Sequence, residues 1–192
     1  MTRGTVRPEL DREVVAAFRR ERVARGVAEA AQEIETQRLR TIDITATARM
    51  AKSTFFELFP SRPASVEYAC EFATLRLTQP LAQPPEDTPR RTRLEWAIDT
   101  LIAAIEAEPL LAALCLVHSR CARIETPQRY FQAVVDAVAA AIGPGRCTEV
   151  RAGAIVTLIA LRLAQGRGEE LATLRAGFVG IGGFYADGDD RG

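Results

Sequence analysis

The placement of the prolines limits the fold of this chain more than any other feature of its sequence. Proline inside a helix removes a hydrogen bond and clashes with the preceding turn, so each proline marks a helix boundary. All ten fall between apolar periodic runs: Pro8, Pro60, Pro63, the group Pro80, Pro84, Pro85 and Pro89, then Pro109, Pro127 and Pro144. The stretches between them have helical length, and none sustains the period-two alternation of a half-buried strand. The prediction is an all-α fold with about nine helices, over roughly 10–36, 42–48, 52–59, 62–78, 90–107, 109–123, 128–142, 147–165 and 168–185. The tail "DGDDRG" is expected to be disordered.

Three helices stand out for their apolar surface. In the fifth, Leu94, Ile98, Leu101 and Ile105 repeat at helical spacing and form one buried stripe. The eighth, "AIVTLIALRLA", is apolar on nearly every side, which requires burial from more than one direction, by its own domain or by a second subunit. The ninth carries Leu171, Leu174, Phe178, Ile181 and Tyr185 on one face beside Gly177, Gly180, Gly182 and Gly183. Glycine weakens a lone helix, so close packing on a neighbour is expected there. Two copies of each of these last helices predict a homodimeric four-helix bundle, with Ile155, Ile159, Leu171, Leu174, Phe178 and Ile181 at the interface.

Charge narrows the choice of partners. With 25 basic and 25 acidic residues the chain has no overall field to attract a polyanion. Residues 1–62, however, hold 12 Lys and Arg against 9 Asp and Glu, whereas residues 63–192 hold 13 against 16. Any nucleic-acid contact therefore belongs to the N-terminal third. Cys70, Cys115, Cys121 and Cys147 contain no CxxC and read as reduced, buried thiols. The start lacks an apolar leader and "AGAIVTLIAL" is about half the length of a membrane span, so no membrane partner and a cytoplasmic location are expected.

Within "RTIDITATARMAKSTFFELFPSRP", Thr41 is the expected N-cap of a short helix, and Asp43 complements its dipole. Ile44 and Ala48 lie four apart, Met50 follows a break, and Phe55 and Phe59 lie four apart on the next helix. Together they form a small apolar wedge around "RMA", the turn of a helix-turn-helix whose second helix enters the major groove. The competing reading is an ordinary helical hairpin that packs two phenylalanines. Ser61 then caps a helix with Arg62 and Pro63 in its first turn.

These residues resemble the DNA-binding domain of the TetR (tetracycline repressor) family of bacterial transcription regulators. The resemblance runs through Thr41, Ile44, Thr45, Ala48, Arg49, Met50, Ala51, Thr54, Phe55, Phe56, Phe59, Ser61 and Arg62, and at motif level spans about residues 11–75. The upstream "REVVAAFRRERVARGVAEAAQEIE" is similar to the first helix of one branch of that family, with a helical extension. Three positions depart from the family: its turn glycine is Arg49, its capping serine is Ala51, and its phosphate-contacting tyrosine is Phe56. A non-glycine at the turn implies strain or a turn shifted by one residue, and Ala51 cannot cap. Ser53 or Thr54 is the alternative cap, with Thr54 and Glu57 as a capping box that shortens the helix.

The resemblance implies a DNA-binding unit over residues 1–62 and a ligand-sensing, dimerising unit over 63–192. It also implies a homodimer on a palindromic operator in double-stranded DNA, released as a repressor by a small hydrophobic or aromatic effector. The DNA-contacting residues expected from it are Thr41, Arg49, Lys52, Ser53, Thr54, Phe56, Glu57 and Arg62; Lys52 is the only lysine in the chain. Taken singly, each of these charges also fits a solvated surface. The alternative function is a helical small-molecule-binding or interaction module that has lost DNA binding.

For the effector, Trp96, Leu101, Cys115, His118, Tyr130, Phe131 and Arg162 are the candidate pocket residues. The aromatic ones also suit a core. Arg162 admits three readings: a snorkelling side chain, an ion pair with Asp99 or Asp136, or an anchor for an acidic ligand. Cys115, His118 and Cys121, three apart in "CLVHSRC", would spread over a helix rather than converge on one ion, so no metal is expected. With one histidine, no G-x-S-x-G and no H-E-x-x-H, the sequence shows no catalytic constellation and implies neither an enzyme nor a cofactor.

Overall fold

Nine α-helices and no strand occur among the residues that the computed structural model describes, which are 8–86, 89–121, 128–145 and 147–183. Helix α1 (Pro8–Ala30) is followed by two short helices, α2 (Thr41–Thr47) and α3 (Lys52–Leu58). The long α4 (Arg62–Thr78) runs into a 3-10 turn at Gln79–Ala82. Then come α5 (Arg90–Ala107), α6 (Pro109–Leu116) with a 3-10 turn at His118–Cys121, and α7 (Gln128–Ile142). Helix α8 (Thr148–Ala164), a 3-10 turn at Gly168–Glu170 and α9 (Leu171–Gly183) complete the described chain.

The described prolines delimit these elements as expected, and Pro127 lies outside the described residues. Pro109 opens α6, where its missing N–H is no loss, and Glu108 both ends α5 and starts α6. Ser61 caps α4, its hydroxyl accepting from the Ala64 amide at 3.3 Å. Two helices end earlier than the sequence pattern suggested. Helix α1 stops at Ala30, and the polar stretch from Gln32 to Gln37 that follows buries Thr36 and half-buries Ile34 while its other side chains are exposed. Helix α6 stops at Leu116 rather than near residue 123; the buried Ser119 hydroxyl takes the Cys115 carbonyl, a local bond that competes with the helical ladder. The tail and Tyr185 lie outside the described residues.

Helix α4 is the hub. It packs on α1, α6, α7 and α5 and buries Val66, Ala69, Cys70, Ala73 and Leu77. Helix α1 lies across both regions expected from the sequence: Val23, Ala24, Val27 and Ala28 are fully buried, while Val14, Val15 and Phe18 near its start are exposed. Toward its C-terminal end, Arg25 makes a two-pronged pair with Glu108 (2.7 and 3.4 Å) and lies over the Phe72 ring at 5.5 Å. Arg76 of α4 reaches the same carboxylate at 3.5 Å, so one glutamate ties α1, α4 and α6 together. The boundary expected at residue 62 falls at the start of α4, and the hydrophobic core is continuous across it.

Helix α8 packs on α7 and α9, and α9 packs back on α5, where Arg175 pairs with Asp99. Burial holds the Cys70 and Cys115 thiols up, at about 12 and about 11. Cys147 departs from the expected burial: it is exposed, in the left-handed conformation just before α8 (φ 59°). The Cys121 side chain lies outside the described residues. No helix among the described residues is long and apolar enough to cross a membrane.

Candidate nucleic-acid interface

Helix α2 starts one residue earlier than read from the sequence. Arg40, not Thr41, is the N-cap, and Thr41 is the first helical residue. The reason is Asp43, whose carboxylate accepts from the Arg40 amide at 2.8 Å and from its guanidinium at 2.9 and 3.1 Å. Those donors hold the Asp43 carboxyl below the usual carboxylate range.

The turn between α2 and α3 keeps its register despite having arginine in place of glycine. Arg49 adopts the left-handed conformation (φ 48°). Its amide donates to the Ala46 carbonyl at 3.1 Å, and the Met50 amide donates to that of Thr45 at 3.0 Å. This is the Schellman arrangement that closes a helix end, with Arg49 at the position usually given to glycine. A left-handed non-glycine residue carries a penalty of about 1 kcal/mol. Arg22 of α1 offsets it, donating one guanidinium nitrogen to the carbonyls of both Ala48 and Arg49 at 2.7 Å.

Helix α3 is not shortened. Its N-cap is Ala51, in extended conformation with no side-chain bond, and neither Ser53 nor Thr54 takes that place. The buried side of α3 is locked by aromatic contacts that lead into α4. Phe55 lies 5.7 Å from Phe59, Phe59 5.4 Å from Tyr68, and Tyr68 6.3 Å from Phe72, centroid to centroid. The wedge expected from the sequence is intact, with Ile44, Ala48, Phe55 and Phe59 buried and Met50 half-buried.

The opposite side of α3 is open. Lys52, Ser53, Phe56 and Glu57 are exposed, Thr54 is half-buried, and Arg49 is exposed beside them. Phe56, 47% exposed, stands edge-on to Phe55 at 5.3 Å, and the Lys52 ammonium lies 5.9 Å over its ring. Phe56 thus offers an apolar face and no hydroxyl. Arg62 does not join this surface: its guanidinium donates to the carbonyls of Thr36, Gln37 and Leu39 at 3.0–3.3 Å, fastening the α1–α2 connector. Sequence reasoning missed Arg22, which lies 27 residues from the carbonyl of Arg49 that it serves.

Of the expected pocket residues, Tyr130 borders a cleft among the described residues, and the others are distributed through the bundle. Leu101 and Cys115 are packed with no exposure, and Cys115 meets the Thr74 hydroxyl at 3.3 Å. Trp96, His118 and Phe131 are half-buried, and burial lowers the pKa of His118. Tyr130 is buried but borders a surface cleft. Arg162 lies 3.9 Å from Glu170, while Asp99 pairs with Arg175 and Asp136 accepts from Gln132. No group of three metal-binding side chains occurs among the described residues.

Four of the six expected dimer residues are covered within their own protomer. Ile155, Ile159 and Leu171 are fully buried and Phe178 nearly so, all inside the protomer, and Leu174 packs half-buried against the same core. The Ile181 side chain is outside the described residues. The apolar side of α8 that remains open carries Val150, Leu158 and Leu161, at 70, 36 and 50% exposure. Around Gly153, Gly177 and Gly180 there is open space. Compared with protein-family models and with curated proteins, the chain matches none.

Proposed function

We propose that the protein is a homodimeric DNA-binding regulator of transcription of the TetR type, a repressor released by a small hydrophobic effector and without enzymatic activity. The observation that carries this reading is the α2–α3 unit. A closed, register-true turn holds two helices at fixed geometry, one side of α3 is anchored by aromatic packing, and the other presents Arg49, Lys52, Ser53 and Phe56 to solvent. Arg49 and Lys52 serve phosphates, and Ser53 and Thr54 reach base edges. Dimerisation is supported by the exposed apolar side of α8 together with the open glycine positions of α8 and α9. Helix α4, which carries Tyr68 at one end and the main core along its length, is the lever between effector and DNA.

One observation favours the alternative, an interaction module without DNA binding. Arg22, Arg40 and Arg62 are engaged within the chain, which leaves Arg49 and Lys52 against Glu57 on the α3 surface. Fluorescence anisotropy with a pool of random duplexes, repeated across salt, separates the two. The regulator binds with a negative salt slope, selects an inverted repeat, and loses about one unit of that slope in Lys52→Ala. Absence of binding at low salt, or a selection without two-fold symmetry, overturns the regulator reading.

A further inference from the structure

The carbonyls of Ala48 and Arg49 close the end of α2, and among the described residues no backbone amide donates to either. Their partner is Arg22, one terminal nitrogen of which spends both of its protons on them, at 2.7 Å each. The reach of that side chain is set one turn further along α1. Gly26 lies four residues on and on the same face, and a β-carbon there would stand 2.9 Å from Ala48. Its carbonyl accepts from the Thr47 hydroxyl at 2.8 Å. Helix α1 therefore touches the last turn of α2, and Arg22 extends that contact onto the turn itself.

Arg49 is what makes this clasp necessary. A glycine would take the left-handed conformation without penalty and the two amide bonds of the turn would close it; an arginine at φ 48° carries the penalty throughout. The next residues give no help, since Ala51 offers no side-chain bond at the start of α3. The buried Phe55 and Phe59 hold the later part of α3, so its first turn, with Lys52 and Ser53 exposed, depends on the residues just before it. Without the clasp Arg49 gains by returning to negative φ, and that rotation re-aims the start of α3 against α2.

From this geometry we infer that Arg22 is the positioning residue of the α3 surface: it sets the affinity of that surface for DNA by holding Arg49 left-handed, and acts through Arg49 rather than by touching a phosphate. That the ligand is DNA rests on the regulator reading; that the turn depends on Arg22 does not. The two roles open to an arginine here differ in their response to salt. Removing a phosphate contact flattens the salt slope by about one unit, whereas removing a positioning residue lowers the competent fraction equally at every salt concentration.

Two measurements on the full chain test this. In hydrogen exchange on the free protein, Arg22→Ala should speed exchange of the Arg49 and Met50 amides, which close the turn, by about fivefold relative to the amides of α4. In anisotropy with the duplex selected from the random pool, Arg22→Ala should weaken binding about fivefold per recognition helix with the salt slope unchanged. Made on an Arg49→Gly chain, the same change should alter either quantity less than about twofold, because glycine needs no clasp. Arg22→Lys takes the place of the alanine variant if that variant does not fold, with the same comparison between the two backgrounds. A slope that falls by about one unit marks a phosphate contact and overturns the inference, as does an equal loss in both backgrounds or unchanged exchange of the turn amides. If no duplex binds, the regulator reading falls and takes the DNA consequence with it, while exchange still decides whether Arg22 holds the turn; DNA binding with unchanged exchange overturns the role of Arg22 alone.

Discussion

Gly26 sits where α1 comes nearest to α2, and replacing it with alanine sets two effects of opposite sign against each other. In an open helix interior Gly→Ala stabilises by about 1 kcal/mol. Here, however, a β-carbon would lie 2.9 Å from both the β-carbon and the amide nitrogen of Ala48, and 3.1 Å from its α-carbon. Two of those three atoms are backbone, so relief means moving the end of α2 away from α1. Overpacking of this kind destabilises by about 1–3 kcal/mol. The movement also stretches the bond from the Thr47 hydroxyl to the Gly26 carbonyl, now 2.8 Å, and the two bonds from Arg22 to the turn. Weakening a hydrogen bond to a charged group adds roughly 1.5 kcal/mol. The clash therefore wins, by about 1.5–3.5 kcal/mol net, and a chain of 192 residues loses about 2–4 °C in Tm per kcal/mol. Thermal unfolding at fixed protein concentration should show a fall of roughly 3–14 °C in Gly26→Ala. Adding Ala48→Gly should restore less than half of it, because the backbone contact remains. A rise in Tm for the single variant would refute the claim that the α1–α2 contact is unyielding, since helix propensity alone would then decide the outcome.

Arg49→Gly should stabilise the fold by about 0.5–1 kcal/mol in urea unfolding, by relieving the left-handed strain, while weakening DNA binding in the anisotropy assay. Leu158→Asp, on the open side of α8, should give folded monomers by sedimentation, whereas Ile159→Asp should unfold the protein by circular dichroism because it buries a charge within the protomer. The Arg175 guanidinium holds the Asp99 carboxyl below its ordinary value near 3.8, so the pair's contribution is present above that pH and is lost as pH falls through the lowered value. Asp99→Asn should flatten that acid limb in pH-dependent unfolding, by less than about 1 kcal/mol because the pair is about half exposed.

Helix number and most helix ends were legible because proline and caps act locally: Ser61, Pro63 and Pro109 fix their helices through bonds within a few residues. What the sequence could not reveal depended on distance or on empty space. Arg49 looked like a departure that had to strain or shift the turn, yet its compensation comes from Arg22, far upstream and unremarkable in its own segment. Hydrophobicity singled out Ile155, Ile159 and Phe178, but a side chain's apolarity does not say whether its own subunit or another covers it. Only three-dimensional packing separates those residues from Val150, Leu158 and Leu161, which belong to the same apolar pattern. The pocket expectation went to large aromatic residues for a related reason. Big side chains fill space, so Leu101 is closed in and Tyr130 only borders a cleft, while open volume lies between α4 and α7 where α7 presents Ala133, Ala137 and Ala140. A cleft is made by the volume that small residues leave, and in a helix rich in alanine only the neighbouring α4 decides whether that volume is filled or open.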